Sequence, residues 1–117
     1  MKIAILRCLH SNDVCAGAAC LRALNSRTAS FAQYGDDPLE LVAYFSCDGC
    51  GKIAFANARG MKEKIETIKR LNPDAVHFGV CTKHVDAEGK RTRLCPHIQD
   101  ILDELTASGI KVVDGTH

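Results

Sequence analysis

The chain has 117 residues, of which 46% are hydrophobic, and its formal net charge is +1. A chain of this length normally forms one domain with one core, here residues 1–117. Because basic and acidic residues are well mixed, the chain lacks the basic footprint of a nucleic-acid binder. No apolar run reaches the roughly 18 residues of a membrane span, and the amino-terminal run is too short for a signal-peptide core. We therefore expect a cytoplasmic protein that binds neither nucleic acid nor membrane.

The first half of the chain predicts a strand, a helix and a second strand. The apolar run at residues 3–6 predicts the first strand. Residues 11–13 are Ser, Asn and Asp, whose side-chain oxygens are suited to cap a helix that ends near residues 25–26. The second strand is predicted over residues 41–45. The apolar stripe of the helix between the two strands consists of Ala18, Leu21 and Leu24.

The second half continues the alternation of helices and strands. Apolar residues at steps of three and four predict two more helices, the second beginning at Pro96 and closing at Gly109. A third strand is predicted over residues 75–80, a long polar loop over 82–93, and a fourth strand over 110–113. The two helical stripes are Ala54, Ala58, Met61, Ile65 and Ile68, followed by Ile98, Ile101, Leu102 and Leu105.

Strands that are separated by helices require right-handed parallel crossovers. The predicted fold is therefore an α/β three-layer sandwich with a four-stranded parallel sheet in the order 2-1-3-4, half of a doubly wound, flavodoxin- or Rossmann-like fold. In such sheets, ligands bind outside the carboxyl ends of the strands. Cys8, Cys47 and Cys81 each stand where one of the first three strands ends. We expect their thiols to meet at this edge of the sheet.

The cysteines predict a metal site. In a reducing compartment, seven cysteines favour metal or reactive-thiol roles over structural disulfides. Cys47-Asp48-Gly49-Cys50 is a C-x-x-C motif, whose spacing lets two sulfurs chelate one ion. Cys50 and Cys95 are both predicted near helix starts, where N–H groups stabilise a thiolate. His97 brings an imidazole to the same helix start. The predicted metal ligands are Cys8, Cys47, Cys50, Cys81, Cys95 and His97.

Other uses of these residues stay open. Four thiolates suit an iron–sulfur cluster as well as zinc. A thiol-dependent oxidoreductase is the rival from another class, with Cys50 as the nucleophile and Cys47 as the thiol that resolves the intermediate. His77 alternates with apolar neighbours in the third strand, which favours a packing role. The residues without an assigned role are Cys15, Cys20, His10 and His117.

Taken together, the ordered motifs resemble the CGGC domain family over essentially the whole chain. The resemblance is carried by Arg7-Cys8, Cys15, Cys20, Cys47-Asp48-Gly49-Cys50, Cys81, Cys95-Pro96-His97 and Gly115-Thr116-His117. It implies a small domain that binds zinc through its cysteines and histidines, with no particular enzymatic activity. Asp48 departs from the pattern, because the family's Cys-Gly-Gly-Cys motif has glycine at that position. The departure adds a negative charge and removes a residue that adopts positive φ at no steric cost.

Overall fold

The computed structural model describes residues 1–51 and 58–117. Its strands are β1 (Lys2–Arg7), β2 (Glu40–Ser46), β3 (Ala75–Phe78), β4 (Lys83–Val85), β5 (Arg91–Leu94) and β6 (Lys111–Asp114). Its α-helices are α1 (Ala18–Ser26), α2 (Ala58–Leu71) and α3 (Pro96–Ala107). Within these ranges, β2, β1, β3 and β6 form a parallel sheet in that order. Since β6 is the fourth predicted strand, the predicted order 2-1-3-4 is confirmed.

The sheet is covered on both faces. Side chains of a strand alternate between its two faces, and β1 sends Ile3 and Ile5 to one side and Ala4 and Leu6 to the other. The first pair packs in a core with α1, and the second pair packs in a core with α2 and α3. The predicted three-layer α/β sandwich is therefore confirmed.

The segment predicted as a polar loop, residues 82–93, instead contains an antiparallel hairpin formed by β4 and β5. Most of its side chains are exposed, so it lacks the apolar alternation that identifies a half-buried strand. The turn is held by Asp86, whose Oδ1 accepts hydrogen bonds from the backbone N–H groups of Glu88 and Lys90. The prediction was wrong because the pairing depends on backbone groups and turn chemistry rather than on burial.

The predicted cap of α1 was also wrong. Residues 11–13 lie in a 3-10 helix (Leu9–Asp13), and the N-cap of α1 is Gly17 at φ 76°, without a side-chain hydrogen bond. The hydroxyl of Ser11 donates instead to the carbonyl of Cys8 at 2.6 Å, which closes the earlier turn. Helix α1 ends at Ser26, as predicted.

Other boundaries agree more closely. Helix α3 begins at Pro96, and Gly109 follows it at φ 85°, as predicted. Strand β3 ends at Phe78 rather than at Val80, because the chain turns into a short 3-10 helix there. Ala54 of the predicted second helix lies outside the described residues. None of the helices in the described part of the chain is long and apolar enough to span a membrane.

His77 is a fully buried packing residue, as its position in the third strand predicted. Its Nδ1 lies 2.8 Å from the carbonyl oxygen of Gly115, and its Nε2 lies 2.6 Å from the hydroxyl of Tyr34. Because a carbonyl only accepts, we assign the proton to Nδ1, and Nε2 then accepts from Tyr34. Burial lowers the pKa of His77 below its usual 6.5, against the opposing effect of the Gly115 carbonyl.

The lowered pKa of His77 predicts acid sensitivity. As the pH falls below about 6.5, the unfolded chain binds this proton before the folded chain does. Above that pH, His77 should add no pH dependence to the free energy of unfolding. Below it, the free energy should fall by up to about 1.4 kcal/mol per pH unit, until the folded state also protonates. Urea denaturation of metal-free protein between about pH 7.5 and 5 measures this dependence. His77→Gln should show a shallower fall, and an unchanged fall in that variant would contradict the assignment.

Candidate metal centre

The loops that follow β1, β2 and β3 leave the sheet side by side. The N–H of Cys47 donates to the carbonyl of Arg7 at 3.2 Å, and the N–H of Gly79 donates to the carbonyl of Leu6 at 3.1 Å. These bonds continue the parallel pairing beyond the ends of the strands. They hold Cys8, Cys47 and the turn that carries Cys81 at one edge of the sheet.

Two of these sulfurs accept hydrogen bonds from consecutive backbone groups. The N–H of Cys8 donates to Sγ of Cys81, and the N–H of Leu9 donates to Sγ of Cys47, each at 3.4 Å. Cys47 is buried, while Cys8 and Cys81 are partly exposed. The three cysteines that follow the first three strands therefore lie together, as the parallel topology predicted.

Two further cysteines extend this cluster toward α3. Cys95 is the N-cap of α3, and its N–H donates to the carbonyl of Thr82 at 2.9 Å, which ties the helix start to the turn that carries Cys81. Burial raises the pKa of the Cys50 thiol, and the nearby thiols of Cys95 and Cys47 raise it further. We refer to Cys8, Cys47, Cys50, Cys81 and Cys95 as the sulfur group.

Opposing effects act on the pKa of the Cys8 thiol. Burial raises its pKa most strongly, and the neighbouring sulfurs of Cys47 and Cys81 add to that rise. Backbone hydrogen bonds from His10 and Ser11 act in the opposite direction. The net rise means that ionising this thiol next to two others is unfavourable unless a cation is present.

His97, the predicted imidazole ligand, lies in the first turn of α3 with an exposed side chain. It lines a cavity of about 210 Å³ between α2 and α3, together with Cys47 and Asp48. His97 therefore faces the same space as one member of the sulfur group.

The side chains do not surround a common point. Across residues 1–51 and 58–117, no three histidine, cysteine, aspartate or glutamate side chains have the arrangement of a metal site. The sulfurs of Cys47 and Cys81 instead accept hydrogen bonds from two different backbone N–H groups. Ligation by Cys8, Cys47, Cys50, Cys81, Cys95 and His97 stays a prediction.

Asp48, the departure from the family motif, is accommodated by α2. Its carboxylate forms a 2.6 Å ion pair with Lys64, whose ammonium also donates to the carbonyl of Ser46 at 2.9 Å. The positive φ in this turn, 97°, belongs to Gly49. The added charge is therefore paired, and the turn does not require glycine at position 48.

Lys64 and the N–H of Leu9 were not predicted as parts of the site. A backbone N–H has no signature in the sequence, since every residue except proline carries one. Lys64 lies in an amphipathic helix with many exposed charged side chains, and nothing distinguishes it before the helix is placed against the turn.

The two remaining cysteines, Cys15 and Cys20, lie on the α1 side. Cys20 is buried, and its sulfur lies 3.1 Å from the hydroxyl oxygen of Thr116. Cys15 is exposed, and its sulfur accepts a hydrogen bond from the N–H of Gly17 at 3.3 Å. Both are free thiols, like the other five cysteines.

A parallel sheet covered by helices on both faces, with thiols at the carboxyl edge of its strands, defines a small cysteine-rich α/β domain. Residues 2–117 match the sequence profile of the CGGC domain, which is essentially the whole chain. The chain therefore belongs to the CGGC domain family, and the resemblance drawn from its motifs is confirmed. No curated protein and no solved structure shows significant similarity to it.

Proposed function

We propose that this chain is a metal-binding domain and that its metal is zinc. The observation that carries the proposal is the convergence of thiols from three separate loops at one edge of the sheet. The sulfurs of Cys81 and Cys47 accept hydrogen bonds from the consecutive N–H groups of Cys8 and Leu9. The ligands are drawn from Cys8, Cys47, Cys50, Cys81, Cys95 and His97.

The donor set suits zinc. Thiolate and imidazole are the ligands of structural zinc sites, with Zn–S distances of about 2.3 Å, so that sulfurs sharing one ion lie within roughly 4 Å. Zinc binding therefore requires the ligand sulfurs to come within this distance of one another. N–H groups that donate to sulfur favour the thiolate form and offset part of its negative charge. The raised pKa of Cys8 implies that zinc displaces a proton from this thiol when it binds.

A thiol-dependent oxidoreductase is less well supported. A nucleophilic cysteine needs a lowered pKa, so that its thiolate is present at neutral pH. Burial and the thiols of Cys95 and Cys47 raise the pKa of Cys50 instead. The surroundings of Cys50 therefore do not favour the thiolate that a nucleophile needs.

Elemental analysis of protein purified without oxygen tests the proposal. We expect zinc in a stoichiometric amount, and we expect Cys47→Ser and Cys50→Ser to lower the zinc affinity by roughly tenfold or more, since each removes a thiolate ligand. Cys20→Ser is the matched control, because this sulfur is buried on the α1 side and pairs with Thr116. It should keep the zinc content of the wild type.

The same preparation separates the alternatives. A brown protein with stoichiometric iron and sulfide would overturn zinc in favour of an iron–sulfur cluster. Metal-free protein that cannot be loaded with zinc, and in which Cys50 is alkylated rapidly at neutral pH, would overturn metal binding in favour of the thiol enzyme.

A further inference from the structure

A second cavity, of about 350 Å³, opens beside the sulfur group on the α1 side of the sheet. Two arginines, Arg7 and Arg91, line it together with His10 and Ser11. Among the described residues that line the cavity, none has a carboxylate side chain. The charged side chains of its lining are therefore basic. Cys8 and Cys81 of the sulfur group line the same cavity, so it adjoins the candidate metal centre, but metal ligation gives no role to Arg91. We call it the anion cavity.

Arg7 is a buried charge. Arg7 follows Ile3 and Ile5 on the same face of β1, so its side chain lies on the α1 side of the sheet. Only 9% of the residue is exposed. Its guanidinium lies over the ring of Tyr44, 5.0 Å from the centroid. Its Nη2 donates to the carbonyl of Cys15 at 3.0 Å and lies 3.4 Å from the hydroxyl of Ser11.

The charge of Arg7 has no carboxylate partner within residues 1–51 and 58–117. Both hydrogen bonds of the guanidinium use Nη2. Nε and Nη1 of Arg7 have no hydrogen-bond partner in the described residues and are not fully sealed from solvent, and Arg7 lines the cavity. An arginine stays charged in a protein, and a buried charge requires a counter-charge.

The hairpin adds the second guanidinium. Arg91 lies at the start of β5, and its Nη1 donates to the carbonyl of Lys83 in β4 at 3.0 Å. Lys83 forms a 2.7 Å ion pair with Asp114 at the end of β6, which anchors the hairpin to the sheet. Arg7 and Arg91 therefore contribute two guanidinium groups to the lining of one cavity.

We propose that the anion cavity binds a small oxyanion of the phosphate type between Arg7 and Arg91. The planar fork of a guanidinium matches the oxygens of such an anion and binds two of them at once. The volume of about 350 Å³ leaves ample room for such an anion. This inference goes beyond the proposed zinc function and does not rest on it.

Titration of inorganic phosphate into metal-free, reduced protein tests the inference, with chloride at equal ionic strength as the reference. We expect phosphate to raise the thermal unfolding midpoint of the wild type more than chloride does. Arg91→Gln should weaken phosphate binding about tenfold or more, because it removes a charge-assisted hydrogen bond. Arg93→Gln is the matched control, since it removes the same charge from the same strand but lines a different cavity with His84 and Asp86.

Two results would overturn the anion cavity. One is an equal effect of phosphate and chloride on the wild type, and the other is an equal loss of phosphate binding in Arg91→Gln and Arg93→Gln, which would indicate diffuse charge attraction. The zinc proposal fails separately, because Cys47→Ser should lose zinc and keep phosphate binding, and Arg91→Gln should keep zinc. Arg7→Lys keeps the buried charge but lacks the fork, and it should also weaken phosphate binding relative to the wild type.

Discussion

Replacing Gly17 by alanine should destabilise the fold by about 3 kcal/mol or more. Gly17 has a φ of 76°, which strains any residue with a Cβ, and an added Cβ would overlap Oη of Tyr44 and lie 2.8 Å from its Cζ. The tyrosine has little room to move, because its ring packs against the α1 core and carries the guanidinium of Arg7. Urea denaturation of Gly17→Ala measures the loss.

Gly89 provides a matched control for this substitution. Its φ is 80°, close to that of Gly17, but no atom lies within 4 Å of the position of an added Cβ. Gly89→Ala should therefore cost only the backbone strain, about 1 kcal/mol. If the two substitutions cost the same, the contact between Gly17 and Tyr44 is not what requires glycine at position 17.

His77→Leu should also destabilise the fold by about 3 kcal/mol. The imidazole joins Tyr34 and the carbonyl of Gly115 across the α1 side of the sheet, and leucine offers neither a donor nor an acceptor. The buried hydroxyl of Tyr34 and the partly buried carbonyl of Gly115 are then left without a partner, and each buried group so left costs about 1–3 kcal/mol. Urea denaturation near neutral pH, where the wild-type imidazole is neutral, gives the difference directly.

The same substitution has a second effect that can be measured. Gly115 precedes Thr116, whose hydroxyl contacts the buried sulfur of Cys20. When the bond from His77 is lost, we expect this turn to loosen and Cys20 to react faster with an alkylating reagent. Tyr34→Phe is the control, because it removes one of the two bonds and leaves the one to Gly115 in place. Equal alkylation rates in the wild type and His77→Leu would contradict this role.

The parallel sheet and its strand order were predictable because they follow from burial. Each of its strands is a short apolar run, and helices with apolar stripes separate them in the chain, so right-handed crossovers leave few arrangements. The hairpin of β4 and β5 was not predictable in the same way, since its pairing is made by backbone groups with exposed side chains. Only the turn chemistry of Asp86 and Gly89 pointed to it.

Some parts of the candidate site were predictable from the sequence and others were not. The meeting of Cys8, Cys47 and Cys81 follows from parallel topology, because each follows a strand and the ends of parallel strands lie at one edge. The anion cavity does not follow, since Arg91 reaches it only through the unpredicted hairpin. The pairing of Asp48 with Lys64 likewise depends on where α2 lies beside the turn.

The contacts of Cys8 and Leu9 with two distant sulfurs are made by main-chain groups alone. Side-chain variation at position 9 during evolution would therefore leave its link to Cys47 in place, whereas proline would abolish it. Comparison of family members by residue identity would overlook these two N–H groups, although they hold the thiols of Cys81 and Cys47 beside neighbouring residues of the chain. At position 9, such a link would show in related sequences as the absence of proline rather than as the conservation of one residue type.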